Sequence, residues 1–202
     1  MKRKLLLICM MLFMIQPGIA QKGKLKKGVY ISPGKEFQID FPYLLGKPKL
    51  KEEIRNKKLT ALAISDDECR TFSLELHGET HLSLEEWEEQ SEVMKEFKKN
   101  LPAETETSEI ETLYGKSKVY RFSLPGMAPC AVLTGEGGKW VQRQPDARVG
   151  MTLLKINGSI YCFSYLVSEE PFDLWGQGLD DIDKELTKYI NSFKILKPKK
   201  AV

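Results

Sequence analysis

The chain has 202 residues, of which 42% are apolar and 29% charged, enough for one domain with a real core and too mixed for a disordered or collagen-like chain. Its formal charge is +3 with 28 acidic side chains. Lys2, Arg3 and Lys4 account for the whole excess. The acidic balance of the remaining body excludes a dedicated nucleic-acid binder, which needs a basic face for phosphates.

Residues 1–20 read as an export leader. Lys2 to Lys4 form a positive start, 5–15 an uncharged apolar run, and Gly18 and Ala20 the small residues that precede cleavage before Gln21. The apolar run is too short for a spanning helix. Cys9 lies inside the run rather than after a small residue at its end, so it does not read as a lipidation site. The mature protein is therefore expected in the periplasm or outside the cell. Residues 21–27 form a basic arm with Lys22, Lys24, Lys26 and Lys27. Residues 28–196 form a single domain, and 197–202 a basic tail. The basic ends read as solvated termini rather than as a membrane contact.

In chain order, 28–32 and 36–41 read as strands around the turn Pro33-Gly34. Phe37, Ile39 and Phe41 alternate inward. Residues 42–58 read as a polar loop. Strands at 59–65 and 69–77 follow. In the second, Phe72, Leu74 and Leu76 share an apolar face, and Cys69, Thr71, Ser73 and Glu75 a polar one. Residues 83–100 read as one helix, opened by a capping box of Ser83 with Glu86. Leu84, Trp87, Met94, Phe97 and Leu101 form its stripe, and its acids and lysines match the helix dipole.

Strands return at 110–114, 118–124 and 130–134. Two long strands at 149–156 and 159–167 flank Asn157-Gly158, the preferred pair for a two-residue type I′ turn. That register sets Ile156 opposite Ser159 and Leu153 opposite Cys162. Both faces of this hairpin are apolar, which predicts a central position with layers on each side. Leu179, Ile182, Leu186, Ile190 and Phe193 keep helical spacing, and a short strand at 193–196 closes the domain. The sum is an α+β fold, an antiparallel β-sheet flanked by helices.

Phe-Gln-Ile-Asp-Phe-Pro near the start, the capped helix after four strands, the long hairpin, and the ending Tyr-Ile-Asn-Ser-Phe-Lys-Ile-Leu together resemble the PsbP-like group. That group includes the extrinsic lumenal protein of photosystem II, a Ran-binding nuclear import factor and exported bacterial proteins. The resemblance implies an α/β/α sandwich and a non-catalytic role in binding a protein partner, with no cofactor. It assigns no contact residue to this chain.

Candidate chemistry is sparse. After cleavage Cys69, Cys130 and Cys162 remain, so one bridge at most can form. Cys162 reads as a buried core residue, which favours a Cys69–Cys130 disulfide over the other two pairings; three reduced core thiols are the alternative. The two histidines lie in His77-Gly78-Glu79-Thr80-His81, where His77, Glu79 and His81 could chelate a divalent ion. The string lacks the helical H-E-x-x-H arrangement, and an exposed polar loop is the simpler reading. A metal-binding protein or metal-dependent enzyme built on these three residues is the alternative to a binding module. Gly135-Glu136-Gly137-Gly138-Lys139 lacks phosphate-loop spacing. Cysteine or serine catalysis lacks its partner residues. Tyr161, Phe163 and Tyr165 could line a ligand pocket, but core packing explains them more simply. Trp140, Arg143, Arg148 and Trp175 lie in loop-like stretches and are the candidate interface anchors, with capping of the core edges as the competing reading for the tryptophans.

Overall fold

The computed structural model describes residues 22–41, 48–55, 58–64, 69–126, 130–133, 140–143, 145–168 and 179–196. Three strands open the chain: β1 (Lys24–Lys26), β2 (Val29–Ile31) and β3 (Phe37–Asp40). Then come β4 (Lys49–Arg55), β5 (Lys58–Ile64) and β6 (Arg70–Glu79). Two short helices, α1 (Leu84–Gln90) and α2 (Glu92–Lys99), lead into β7 (Glu106–Thr112) and β8 (Gly115–Leu124). A small ribbon, β9 (Cys130–Leu133) and β10 (Trp140–Arg143), precedes the long hairpin β11 (Ala147–Ile156) and β12 (Ser159–Ser168). Helix α3 (Leu179–Ser192) and β13 (Lys194–Ile195) close the described chain.

The main sheet has seven strands in the order β4-β5-β6-β12-β11-β8-β7, every pair antiparallel. The hairpin β11–β12 lies at its centre, with Ile156 opposite Ser159 and Leu153 opposite Cys162, as the turn chemistry predicts. Asn157 and Gly158 both take positive φ, at 50° and 82°, which a type I′ turn requires.

The two faces of the sheet bury different layers. Phe72, Leu74, Leu154, Tyr161, Phe163 and Tyr165 pack with Tyr30, Phe37 and Ile39 of a four-stranded sheet (β1-β2-β3-β13) and with Leu186, Tyr189 and Ile190 of α3. Tyr161, Phe163 and Tyr165 are therefore core residues, as the simpler reading has it. On the other face Met151, Leu153, Ile160 and Tyr120 pack with Met94, Trp87 and Phe97 of α1 and α2. The architecture is α+β, an antiparallel sheet held between helical layers. Among the described residues no helix is long and apolar enough to cross a membrane.

Four local departures from the sequence reading have physical causes. The basic arm is not a tail: Lys24–Lys26 is β1, paired with β2. Gly23 explains the anchoring. Its N–H donates to both carboxylate oxygens of Glu52, at 2.8 and 3.1 Å, and a Cβ there would sit 2.5 Å from the Tyr30 ring. The expected loop at 42–58 contains β4, whose alternating charges hide it from a hydrophobicity pattern but suit an edge strand. The expected strand at 110–114 starts earlier, because β7 is an exposed edge whose acids face bases on β8: Glu106 opposite Arg121, Glu109 opposite Lys118, Glu111 opposite Lys116. Finally, the single expected helix is broken at Ser91, which is extended (φ −68°, ψ 120°). Its N–H closes α1 on the Trp87 carbonyl, and its hydroxyl accepts the Met94 N–H at 3.4 Å to open α2. Ser91 stands where the stripe from Leu84 through Trp87 to Met94 calls for an apolar residue. The capping box of Ser83 and Glu86 is present in both directions, at 3.1 and 2.7 Å.

Candidate functional site

An ion-pair cluster ties α3 to the sheet. Arg148, expected in a loop, is a strand residue of β11 with a side chain only 4% exposed. Its Nη2 donates to Asp183 Oδ2 at 2.9 Å and Glu106 Oε2 at 2.8 Å, and its Nε to Asp183 Oδ1 at 3.3 Å. Arg121 approaches the same carboxylate, Nε to Oδ2 3.4 Å, and the Tyr165 hydroxyl donates to its other oxygen. Burial by itself would lower the Arg148 pKa, but hydrogen bonds to Asp183 and Glu106 outweigh it and the net shift is upward. Burial, then the Asp183 charge, holds the Tyr165 phenol protonated. Arg148 is thus committed inside the molecule and is no interface anchor.

Gly150 makes this cluster possible. A Cβ at Gly150 would lie 2.5 Å from ring carbons of Tyr165 and 2.8 Å from its hydroxyl oxygen. Gly150→Ala is expected to displace Tyr165 from Asp183 and to destabilise the protein by about 1–3 kcal/mol, read by urea denaturation. A loss under 0.5 kcal/mol would show that the ring has room to move.

The second polar cluster lies on the helix-facing side of β6. His77 packs against Trp87 of α1, the rings tilted and their centroids 5.3 Å apart, and its Nε2 is 3.6 Å from Glu75 Oε2. Cys162 lies directly opposite Glu75 across β12. Burial, then Lys58, lowers the His77 pKa to about 4; burial raises that of Glu75, against Lys58. Burial, then the Glu75 charge, raises that of Cys162 well above the ordinary thiol value. In the folded protein the imidazole is neutral near pH 6, the carboxyl gives up its proton less readily than a free one, and the thiol is a poor nucleophile.

The pH signs of this pair oppose. His77, lowered from 6.5, gives a stability that falls as pH drops from about 6.5 to 4, because only the unfolded state takes up the proton. Glu75, raised from 4.5, gives one that falls as pH rises above 4.5. Between pH 4.5 and 6.5 the two contributions therefore change in opposite directions. NMR titration of the His77 ring protons is expected to give a midpoint near 4. Glu75→Gln should steepen the loss of stability between pH 6.5 and 4. A wild-type midpoint near 6.5 would contradict the buried, neutral imidazole.

The three expected metal ligands do not converge. In β6 Ile160 faces Gly78 and Tyr161 faces Leu76, so His77 is an extra residue in a bulge. Gly78 takes φ 91°, a value that favours glycine. The bulge shifts the alternation. His77 stays on the helix side with Trp87, while Glu79 pairs with Ser159, on the opposite side from Ile160. His81 follows beyond the strand end. Among the described residues no three of His, Cys, Asp and Glu form a group that could hold a metal ion.

The remaining candidates fall on the ribbon. β9 and β10 pair only with each other among the described strands, with Trp140 opposite Leu133, Val141 opposite Val132 and Arg143 opposite Cys130. The ribbon is inserted between β8 and β11, which pair directly with Leu124 opposite Ala147. Its neck is closed by the Gly126 N–H on Asp146 Oδ1 at 2.9 Å. Trp140 and Arg143 therefore share one two-stranded ribbon rather than loops. Trp175 lies outside the described residues. Cys69 is disulfide-bonded and Cys162 is a free thiol, which removes both pairings that involve Cys162.

No family model matches the chain, and no curated protein does. Among solved structures it is similar to a mutant of protein Mog1, at 12% identity over 85% of this chain and 96% of that one, with a TM-score of 0.47. It is also similar to cyanobacterial PsbP (CyanoP) from Synechocystis sp. PCC 6803, at 9% identity over 91% of this chain and 99% of that one, with a TM-score of 0.44. The likeness is to a PsbP/Mog1-like fold. Activity and partner are argued from this chain's own residues.

Asp183 and Glu75, which organise the two polar clusters, were not singled out by sequence reasoning. A signal for Asp183 exists. It lies four residues after Leu179 and three before Leu186, so an acid occupies the apolar stripe of α3. Glu75 carries no such mark, because its strand face reads as polar and solvated.

Proposed function

We propose that this chain is an exported, non-catalytic accessory protein that recognises a protein partner through the β9–β10 ribbon. The ribbon is the observation that carries this reading. An isolated two-stranded hairpin is marginal in water, and this one bears Trp140 opposite Leu133 and Val141 opposite Val132. Such a ribbon gains stability by lying against another surface, and Trp and Arg are the residue types that anchor interfaces. Two further observations support the reading. Burial shifts the acid, base and thiol gathered on β6 and β12 against their charged forms. The disulfide at Cys69 suits an oxidising compartment, in keeping with the leader at 1–20.

The test is site-specific photo-crosslinking in the exporting cell. A crosslinking residue replaces Trp140 in one experiment and Val93, 58% exposed on α2, in the other. A discrete adduct from position 140 alone is expected. No adduct, or the same adducts from both positions, overturns the reading.

A further inference from the structure

We propose that Cys69 is bonded to Cys130, and that this crosslink anchors the ribbon to the end of the main sheet. The anchoring role rests on the ribbon being the docking element; the crosslink itself does not. The chain has four cysteines, and with Cys162 free only Cys130 or Cys9 can be bonded to Cys69. Cys9 sits in the apolar run of the leader, which cleavage removes.

The geometry favours Cys130. The Ser168 N–H donates to the Cys69 carbonyl at 2.8 Å, Ser168 pairs with Ala147, and Ala147 pairs with Leu124. Cys69, Ser168, Ala147 and Leu124 thus form one row across the sheet end. The ribbon leaves this row at Leu124 and returns at Ala147. At about 4.8 Å per strand, Cys69 is ~10 Å from the returning limb and ~14 Å from the departing one. The four residues from Gly126 to Cys130 span at most about 14 Å, so the foot of the ribbon can meet Cys69. Cys69 is only 2% exposed, so the bond is shielded from thiols and acts as a permanent tie.

The crosslink is read by mass spectrometry of the exported protein, alkylated without reduction and cut with trypsin. Peptide 59–70 is expected joined to peptide 122–139, with Cys162 alkylated. A link from 59–70 to the peptide holding Cys162 or to the leader, or three alkylated thiols, overturns the proposal. The anchoring is read by hydrogen exchange of a Cys69→Ser/Cys130→Ser variant. Amide exchange at 130–133 and 140–143 should rise about tenfold or more while β11 and β12 stay protected. Unchanged exchange in the ribbon overturns the anchoring role. If that variant does not fold, the peptide map still decides the pairing. A correct crosslink without a partner adduct at position 140 leaves the tie in place and overturns only the docking role.

Discussion

Asp183→Ala is expected to destabilise the protein by about 3–5 kcal/mol, as breaking a buried ion pair on one side does. The carboxylate accepts two bonds from Arg148 and one from the Tyr165 hydroxyl, and stands 3.4 Å from Arg121 Nε. Its removal leaves two cations close together in a site where Arg148 is 4% and Arg121 13% exposed. Glu106 cannot take over, since its side chain is 62% exposed and anchored on an edge strand. Urea denaturation reads the loss, and the melting temperature should drop by roughly 10 °C. Glu106→Ala is the control, expected to cost no more than about 1 kcal/mol because its pair is largely solvated. Equal losses from the two substitutions would mean that Asp183 is not the centre of the cluster.

Phe193→Ala should cost a similar amount, about 3–5 kcal/mol, through cavity formation. Phe193 is fully buried where α3 ends and β13 begins. Its ring meets Tyr161 at 4.9 Å, Phe37 at 5.3 Å, Phe163 at 5.4 Å and Tyr114 at 5.8 Å between centroids. These four rings come from β12, β3 and the β7–β8 turn, so one side chain joins both sheets to the last helix. The Tyr114 hydroxyl also donates to the Phe193 carbonyl at 2.7 Å. Against a total stability of about 5–15 kcal/mol, this substitution approaches global unfolding. Phe193→Leu, which keeps most of the volume, should lose less than about 1.5 kcal/mol. Denaturation curves of the two variants separate packing from any special role of the aromatic ring; an alanine variant within 1 kcal/mol of wild type would refute the central placement.

Elements whose pattern comes from local chemistry were legible in the sequence. Asn157-Gly158 set the central hairpin and its register, because only certain residues accept two successive positive φ values. Ser83 and Glu86 marked the start of α1, since a capping box is complete within four residues. The α+β class followed from strands with one or two apolar faces and helices with a single stripe. The same reading missed β4 and placed β7 late, because an edge strand in water needs no hydrophobic alternation.

The candidate site was less legible. His77, Glu79 and His81 are close in sequence, yet one bulge residue in β6 reverses the faces and separates His77 from Glu79. Arg148 looked like a surface anchor because its acids are 35 and 42 residues away along the chain. By itself the sequence determined the charge balance, the turn chemistry and the α+β class, all of which depend on neighbouring residues. Only the tertiary structure decided which charges are buried together, that His77 packs against Trp87 away from Glu79, and that Trp140 and Arg143 share a separate ribbon. Those outcomes depend on strand register and helix docking, which bring distant residues to one place.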